Sequence, residues 1–185
     1  MNAPLACGPH LRLRRAEPKD AAYIHHLRSD PERTRHLSAR SASEESQRDW
    51  LRSYQIEEEG GRQLYMVAET RDGAVPCGLV RLYGIAGREA TWGSFMAERE
   101  KSPRAALEIA WLSFIVAFDR LSLTRCVLDV RRDNARAIAF YRRFGMRETG
   151  GDDLDLFFDY AIADFQRDRA PLERAIRGAP GEPRS

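Results

Sequence analysis

The chain has 185 residues, 30 of them basic and 28 acidic, for a formal charge of +2 at pH 7. A balance this even gives no single-sign field of the kind that draws a chain to nucleic acid, and 43% apolar with 31% charged residues is ordinary for one globular domain with a full core. There is no apolar run of about 18 residues free of charge, no signal-peptide pattern, and no cysteine framework or metal-ligand cluster in Cys7, Cys77 and Cys126, so a cytoplasmic chain with no membrane contact and no metal is expected.

Residues 1–9 are small and proline-bearing, which predicts a flexible tail. Leu11 and Leu13 alternate with arginines and predict a first strand. A helix is expected from Pro18 to Arg28, with Ala21, Ala22, Ile24, His25 and Leu27 on its apolar side. The connection that follows is polar and holds Arg28, Arg33, Arg35, His36 and Arg40. Only Lys19 and Lys101 among the basic residues are lysine; most of the arginines read as a solvated surface, whereas this cluster could also meet phosphate. Ser43 begins a second helix, with Glu44, Glu45 and Asp49 near its positive end and Trp50, Leu51 and Tyr54 as its buried side. It ends at Gly60 and Gly61. Strands are expected over 63–70 and 75–85, joined by the turn Arg71-Asp72-Gly73, and over 90–97.

Ser102 is a candidate N-cap and Pro103 suits a first helical position, so a helix is expected to start at Pro103. From Ala105 to Phe118 nearly every residue is apolar, on all sides of the helix, which predicts burial against a sheet or under other elements. Cys126, Val127, Leu128 and Val130, interrupted only by Asp129, predict a buried strand over 125–131. Asp133 or Asn134 then caps a helix whose apolar residues Ala137, Phe140, Tyr141 and Phe144 recur at helical spacing, and Gly145 falls where a left-handed C-terminal residue is wanted. Residues 147–153 read as a polar turn, 154–162 as a last strand, 164–177 as a helix that Pro171 breaks or begins, and 178–185 as disordered. The fold class is a mixed α/β (α+β) domain with a mostly antiparallel central sheet.

Asn134-x-x-Ala137-x-x-x-Tyr141-x-x-x-Gly145-Met146 resembles the Asn-x-x-Ala-x-x-x-Tyr-x-x-x-Gly-Phe signature of the GNAT acetyltransferases, with Met146 in place of the last Phe. The family's Gln/Arg-x-x-Gly-x-Gly/Ala pyrophosphate loop falls on Lys101-Ser102-Pro103-Arg104-Ala105-Ala106, where Arg104 stands in place of Gly. The resemblance implies a GNAT domain over residues 10–165, with a C-terminal helix and tail over 166–185. It implies helices on both faces of the sheet, a splayed fourth and fifth strand at 90–97 and 125–131, and acetyl-coenzyme A as acetyl donor. Backbone N–H groups around Phe95, Met96 and Ala97 would then polarise the thioester. Lys101, Arg104, Ala105 and Ala106 would meet the pyrophosphate, Arg143 the adenosine phosphate, and Asn134 the pantetheine arm. Tyr141 would protonate the leaving thiolate.

Each of these residues has a plainer role open to it. Tyr141 could simply pack its ring, Asn134 could only cap its helix, and Arg143 could be a solvated charge. A general base is open between Glu89, Glu98 and water, and the four histidines are uncommitted. Residues 27–36 and 90–96 resemble two subgroups, one acetylating nucleotide-linked amino sugars and the other the N-termini of ribosomal proteins. The first is preferred because Arg28, Arg33 and Arg35 could meet a diphosphate. A non-catalytic acetyl-coenzyme A-binding module is the remaining alternative, and monomer or homodimer is open.

Overall fold

Leucines alternate with arginines over Leu11–Arg15, and that strand, β2, carries the division of the whole molecule: Leu11 and Leu13 enter one core, while Arg12 and Arg14 face the other way. The computed structural model describes residues 3–29, 43–98, 100–101 and 104–178. The strands are β1 (Ala6–Cys7), β2, β3 (Leu64–Thr70), β4 (Pro76–Ala86), β5 (Glu89–Ala97), β6 (Arg125–Arg131), β7 (Arg147–Gly151) and β8 (Asp155–Ala161). The helices are α1 (Ala21–Ser29), α2 (Glu44–Glu59), α3 (Ala105–Ile115), α4 (Ala135–Phe144) and α5 (Ile162–Arg177).

One sheet in the order β1-β2-β3-β4-β5-β6-β8-β7 holds all eight strands. Every neighbouring pair is antiparallel except β5 and β6. Helices α3, α4 and α5 bury Ile109, Phe114, Ile138, Phe144 and Phe165 on one face with Leu11, Trp92 and Phe158 of the sheet. On the other, Ile24, Leu27, Leu51 and Tyr54 of α1 and α2 cover Tyr65, Val67, Leu79 and Met96. The same face over β6 to β8 has no helix upon it among the described residues, and Phe157 there is 39% exposed.

The splay is present. Parallel pairing of β5 with β6 covers only Glu89 with Arg125, Ala90 with Cys126 and Thr91 with Val127, and stops there. Counted from Leu11, these are the fourth and fifth strands. Two local causes hold them apart. The register of β4 against β5 shifts between Leu79 and Arg81, and Ser94 on the bulged side has φ +50°, which bends the strand away. Beside the bulge, Trp92 is pinned by its indole N–H donating to Ser113 of α3 at 2.8 Å, and its ring meets Tyr141 of α4 edge-on at 5.9 Å. These aromatic rings fill the wedge from the α3–α4 side.

Several boundaries differ from expectation for physical reasons. Within residues 1–9, Ala6 and Cys7 pair with β2 and Leu5 is buried, an element too short for periodicity to reveal. Residues 147–151 are an edge strand rather than a turn; every residue of β7 is exposed, so no apolar alternation marks it. Trp50 does not join Leu51 and Tyr54 in the core but remains 37% exposed, stacked on Tyr54. Helix α3 begins at Ala105 with Arg104 at its N-cap; Ser102 and Pro103 lie outside the described residues, as do 179–185. Pro171 lies inside α5, which begins at Ile162, so the expected boundary at 165 falls within a helix whose Phe165, Leu172 and Ile176 enter the main core. Among the described residues no helix is long and apolar enough to cross a membrane.

Candidate active site

The open end of the splay is a cavity of about 390 Å³. Its walls are Trp92 to Phe95 of β5, Asp129 to Arg131 of β6, and Asn134, Ala137 and Tyr141 of α4, with Arg28, Arg81, Tyr83 and Asp155 completing the rim. A shallower groove of about 340 Å³ lies over the uncovered face of β6 to β8, and Asp129 and Asp155 line both spaces.

Helix α4 sets the side chains. Asn134 caps it, Oδ1 accepting the Ala137 N–H at 3.1 Å, and Gly145 closes it at φ +101°. Seven positions after the cap, two helical turns on, Tyr141 is carried to the cavity with its ring among Trp92, Phe140 and Phe158. Only 8% of the residue is exposed, and its hydroxyl has no hydrogen bond among the described residues. Burial, and after it the charge of Asp129, push the phenol well above the usual tyrosine range. Such a group keeps its proton at any physiological pH, so an O–H is present at the cavity.

Asp129 is the residue that sequence reasoning passed over. It is exposed at the cavity wall and has no ion pair among the described residues. Its only mark in the sequence is a charge interrupting an otherwise apolar run, and which face of β6 it takes depends on the register with β8, where it sits opposite Phe157. The carboxylates first considered are placed elsewhere. Glu98 is buried and accepts from the Tyr23 hydroxyl at 2.7 Å and from Lys101 Nζ at 2.8 Å. Glu89 sits at the paired end of β5, 3.5 Å from Arg125.

The structure brings together Phe95, Asn134, Tyr141 and Arg28, and leaves other candidates outside the cavity. Met96 is buried toward α1 and α2, Ala97 packs against the main core on the opposite face, and neither lines the cavity. Lys101 donates to the Pro76 carbonyl as well as to Glu98. Arg104 donates from Nη1 to the Ile176 carbonyl at 2.9 Å, tying the start of α3 to the end of α5 rather than pointing outward. Ala105 and Ala106 remain in the first turn of α3, whose N–H groups have no intrahelical acceptor and could still cradle a phosphate. Arg143 is exposed in the last turn of α4. Arg33, Arg35 and Arg40 lie outside the described residues.

Comparison with known proteins agrees with this fold. A family model described as an acetyltransferase (GNAT) domain matches residues 10–147. No curated protein matches the chain. Among solved structures, apo FdhC, described as a nucleotide-linked sugar GNAT, superposes with a TM-score of 0.85 at 25% identity, over 95% of this chain and 99% of that one. Spermidine N-acetyltransferase from Vibrio cholerae, in complex with CoA and spermine, gives 0.72 at 20% identity, over 84% and 98%. RimJ from Mycobacterium smegmatis, in complex with CoA-disulfide, gives 0.74 at 17% identity, over 92% and 90%. The last two likenesses speak for the fold alone. The family match runs from the start of β2 to the end of the Asn134–Met146 motif, and with it the chain belongs to the GNAT acetyltransferases.

Proposed function

We propose that this acetyltransferase moves acetyl from acetyl-coenzyme A to the amine of a nucleotide-linked amino sugar by direct attack. The observation that carries this reading is the cavity in the splay, where the Tyr141 side chain and the Asp129 carboxylate, which has no ion pair among the described residues, share one space with Arg28, Arg81 and Arg131. The residues present fit the donor: β5 has no strand partner on its β6 side after Thr91, and α3 offers free N–H groups at its first turn. The donor supplies an activated acetyl group as a thioester. Backbone N–H groups at the Ser94 bulge would polarise its carbonyl, Asp129 would take the amine proton directly or through water, and Tyr141 would protonate the departing sulfur. The arginines would receive the diphosphate of the acceptor. The likeness to FdhC, spanning nearly all of both chains, supports the same substrate class.

A second reading, a cationic acceptor such as a peptide N-terminus or a polyamine, has one observation in its favour: the carboxylates Asp129 and Asp155 line both the cavity and the groove. Acetyl-coenzyme A consumption measured across nucleotide amino sugars, N-terminal peptides and polyamines separates the two. Turnover of a nucleotide amino sugar at least about 100-fold more efficient than of any peptide or polyamine is expected. Efficient acetylation of a peptide or polyamine with no nucleotide sugar turned over defeats the proposal.

A further inference from the structure

Arg81, in the middle of β4, differs from Arg14, which the fold also draws inward and which is held by both Asp20 and Glu69. Even the more exposed Arg125 and Arg147 share a carboxylate, Asp159. Arg81 has no carboxylate partner among the described residues, although burial is enough to draw its pKa below that of an ordinary arginine. Nη2 donates to Gln63 Oε1, while Nε is buried with no hydrogen-bond partner among the described residues. A half-buried cation without a counter-charge is costly, and that cost is offset only when an anion arrives.

The guanidinium is nevertheless rigidly placed. It lies over the Trp50 ring at 5.1 Å and over the Tyr83 ring at 5.0 Å, a stack that orients the planar fork without neutralising it. The stack continues through Trp50 onto Tyr54 at 5.5 Å. Position 93 on the neighbouring strand is glycine, and a Cβ there would come within 3.1 Å of the Tyr83 ring. Its absence keeps that ring and the guanidinium open to the cavity, which Arg81, Tyr83, Gly93 and Arg28 line together. These features explain Trp50: its exposed ring is the outer support of a preorganised cation.

We propose that Arg81, stacked between Trp50 and Tyr83, is the specificity-determining residue that binds the diphosphate of the acceptor. This rests on the nucleotide-linked reading of the cavity and deepens it, moving the anion site from the polar connection after α1 to the sheet itself. A diphosphate presents paired oxygens to a planar fork, which a lysine in the same place would meet only as a point charge.

The test uses the full-length protein saturated with coenzyme A, so that the donor side is filled. Uridine and thymidine diphosphates are titrated against wild type, Arg81→Gln and Arg81→Lys by calorimetry, with quenching of Trp50 as a second readout, identified by its loss in Trp50→Phe. Binding is expected to weaken by about 10- to 100-fold in Arg81→Gln and to recover only partly in Arg81→Lys, with the acetyl-coenzyme A KM unmoved. Equal affinity in wild type and Arg81→Gln, no diphosphate binding to wild type, or a raised acetyl-coenzyme A KM with the acceptor KM unchanged each overturns the assignment. Diphosphate binding that depends on Arg81, with no nucleotide amino sugar acetylated, upholds the anion subsite and rejects the substrate reading. Turnover of a nucleotide amino sugar with a KM indifferent to Arg81→Gln does the reverse.

Discussion

Tyr141 has its ring in the core and its hydroxyl at the cavity, and the two halves of the side chain can be tested apart. Tyr141→Phe keeps the aromatic contacts with Trp92 and Phe158 and removes only the proton donor. Turnover is expected to fall roughly 10- to 1,000-fold while the melting temperature and acetyl-coenzyme A affinity stay near wild type; unchanged kcat returns Tyr141 to a packing role. The sign of its pKa shift adds a pH test. Burial raises the phenol, so it keeps its proton throughout the alkaline range where an ordinary tyrosine loses it near pH 10. The wild-type rate should therefore rise as the acceptor amine deprotonates and hold a plateau through about pH 10, and a descending limb below that pH that vanishes in Tyr141→Phe would contradict the assignment. Asp129→Asn should cost roughly 100-fold in kcat, whereas Glu98→Gln, which disturbs the Tyr23 and Lys101 hydrogen bonds, should register mainly as lost stability. At this scale Asn134 and Tyr141 are legible in sequence because a helix fixes their spacing. Asp129 is not, because nothing local says which face of β6 looks into the splay.

Helix α4 is the element on which the site depends, and its two ends have separate costs. Asn134→Ala removes the hydrogen bond to the Ala137 N–H and should destabilise by about 1 kcal/mol, while Asn134→Ser keeps a cap. Activity lost in both variants, with stability lost only in the first, would reveal a second role for the amide; activity that follows stability alone would leave Asn134 a cap. At the other end, Gly145 has φ +101° and a Cβ there would lie 2.6 Å from Asp168 Oδ2, so Gly145→Ala is expected to cost more than about 1 kcal/mol in denaturant unfolding. Strands β6, β7 and β8 are joined by a charge cluster in which Asp159, 1% exposed in its side chain, accepts from Arg147 and Arg125. The hydrogen bonds from Arg147 come first in holding its carboxyl below the usual range. A folded-state pKa below the unfolded one means that the contribution is complete above the unfolded value and disappears as pH falls through the folded one. Asp159→Asn should thus melt below wild type at pH 7, by an amount moderated by the exposure of both arginines, and the gap should narrow below about pH 4. A gap independent of pH would assign the effect to packing.

Across the whole molecule, the donor side is coupled to the C-terminal helix. Arg104 at the start of α3 and His10 after β1 both reach the Ile176 carbonyl near the end of α5, at 2.9 and 3.3 Å. Glu108 of α3 accepts from the His10 and Leu11 N–H groups, so the N-terminal strand is fastened to the same helix. Arg104→Ala is therefore expected to lower the melting temperature by roughly 2–4 °C for each kcal/mol lost, with a comparatively small change in acetyl-coenzyme A affinity. A tenfold, salt-dependent loss of affinity at constant stability would restore a direct phosphate contact for Arg104.

The sequence by itself determined the elements whose periodicity is strong and whose end signals are local: the largely apolar α3, the capped α4 with its terminal glycine, and β2 to β6, together with the motif that assigns the family. Helical spacing and cap chemistry act within a few residues, so they are readable without a fold. Only the tertiary structure decided the rest. A two-residue strand such as β1 and an exposed edge strand such as β7 have too little burial to print a pattern, and exist because neighbouring strands offer hydrogen-bonding partners. The same holds for the destinations of charged groups. Lys101, Glu98 and Arg104, candidates from their position along the chain, are taken up by Pro76, Tyr23 and Ile176, all far off in sequence, while Asp129 and Arg81 have no ion pair among the described residues and reach the cavity. Electrostatic pairing is set by distances between residues far apart in sequence, and those distances come into being only when the sheet closes on both its cores.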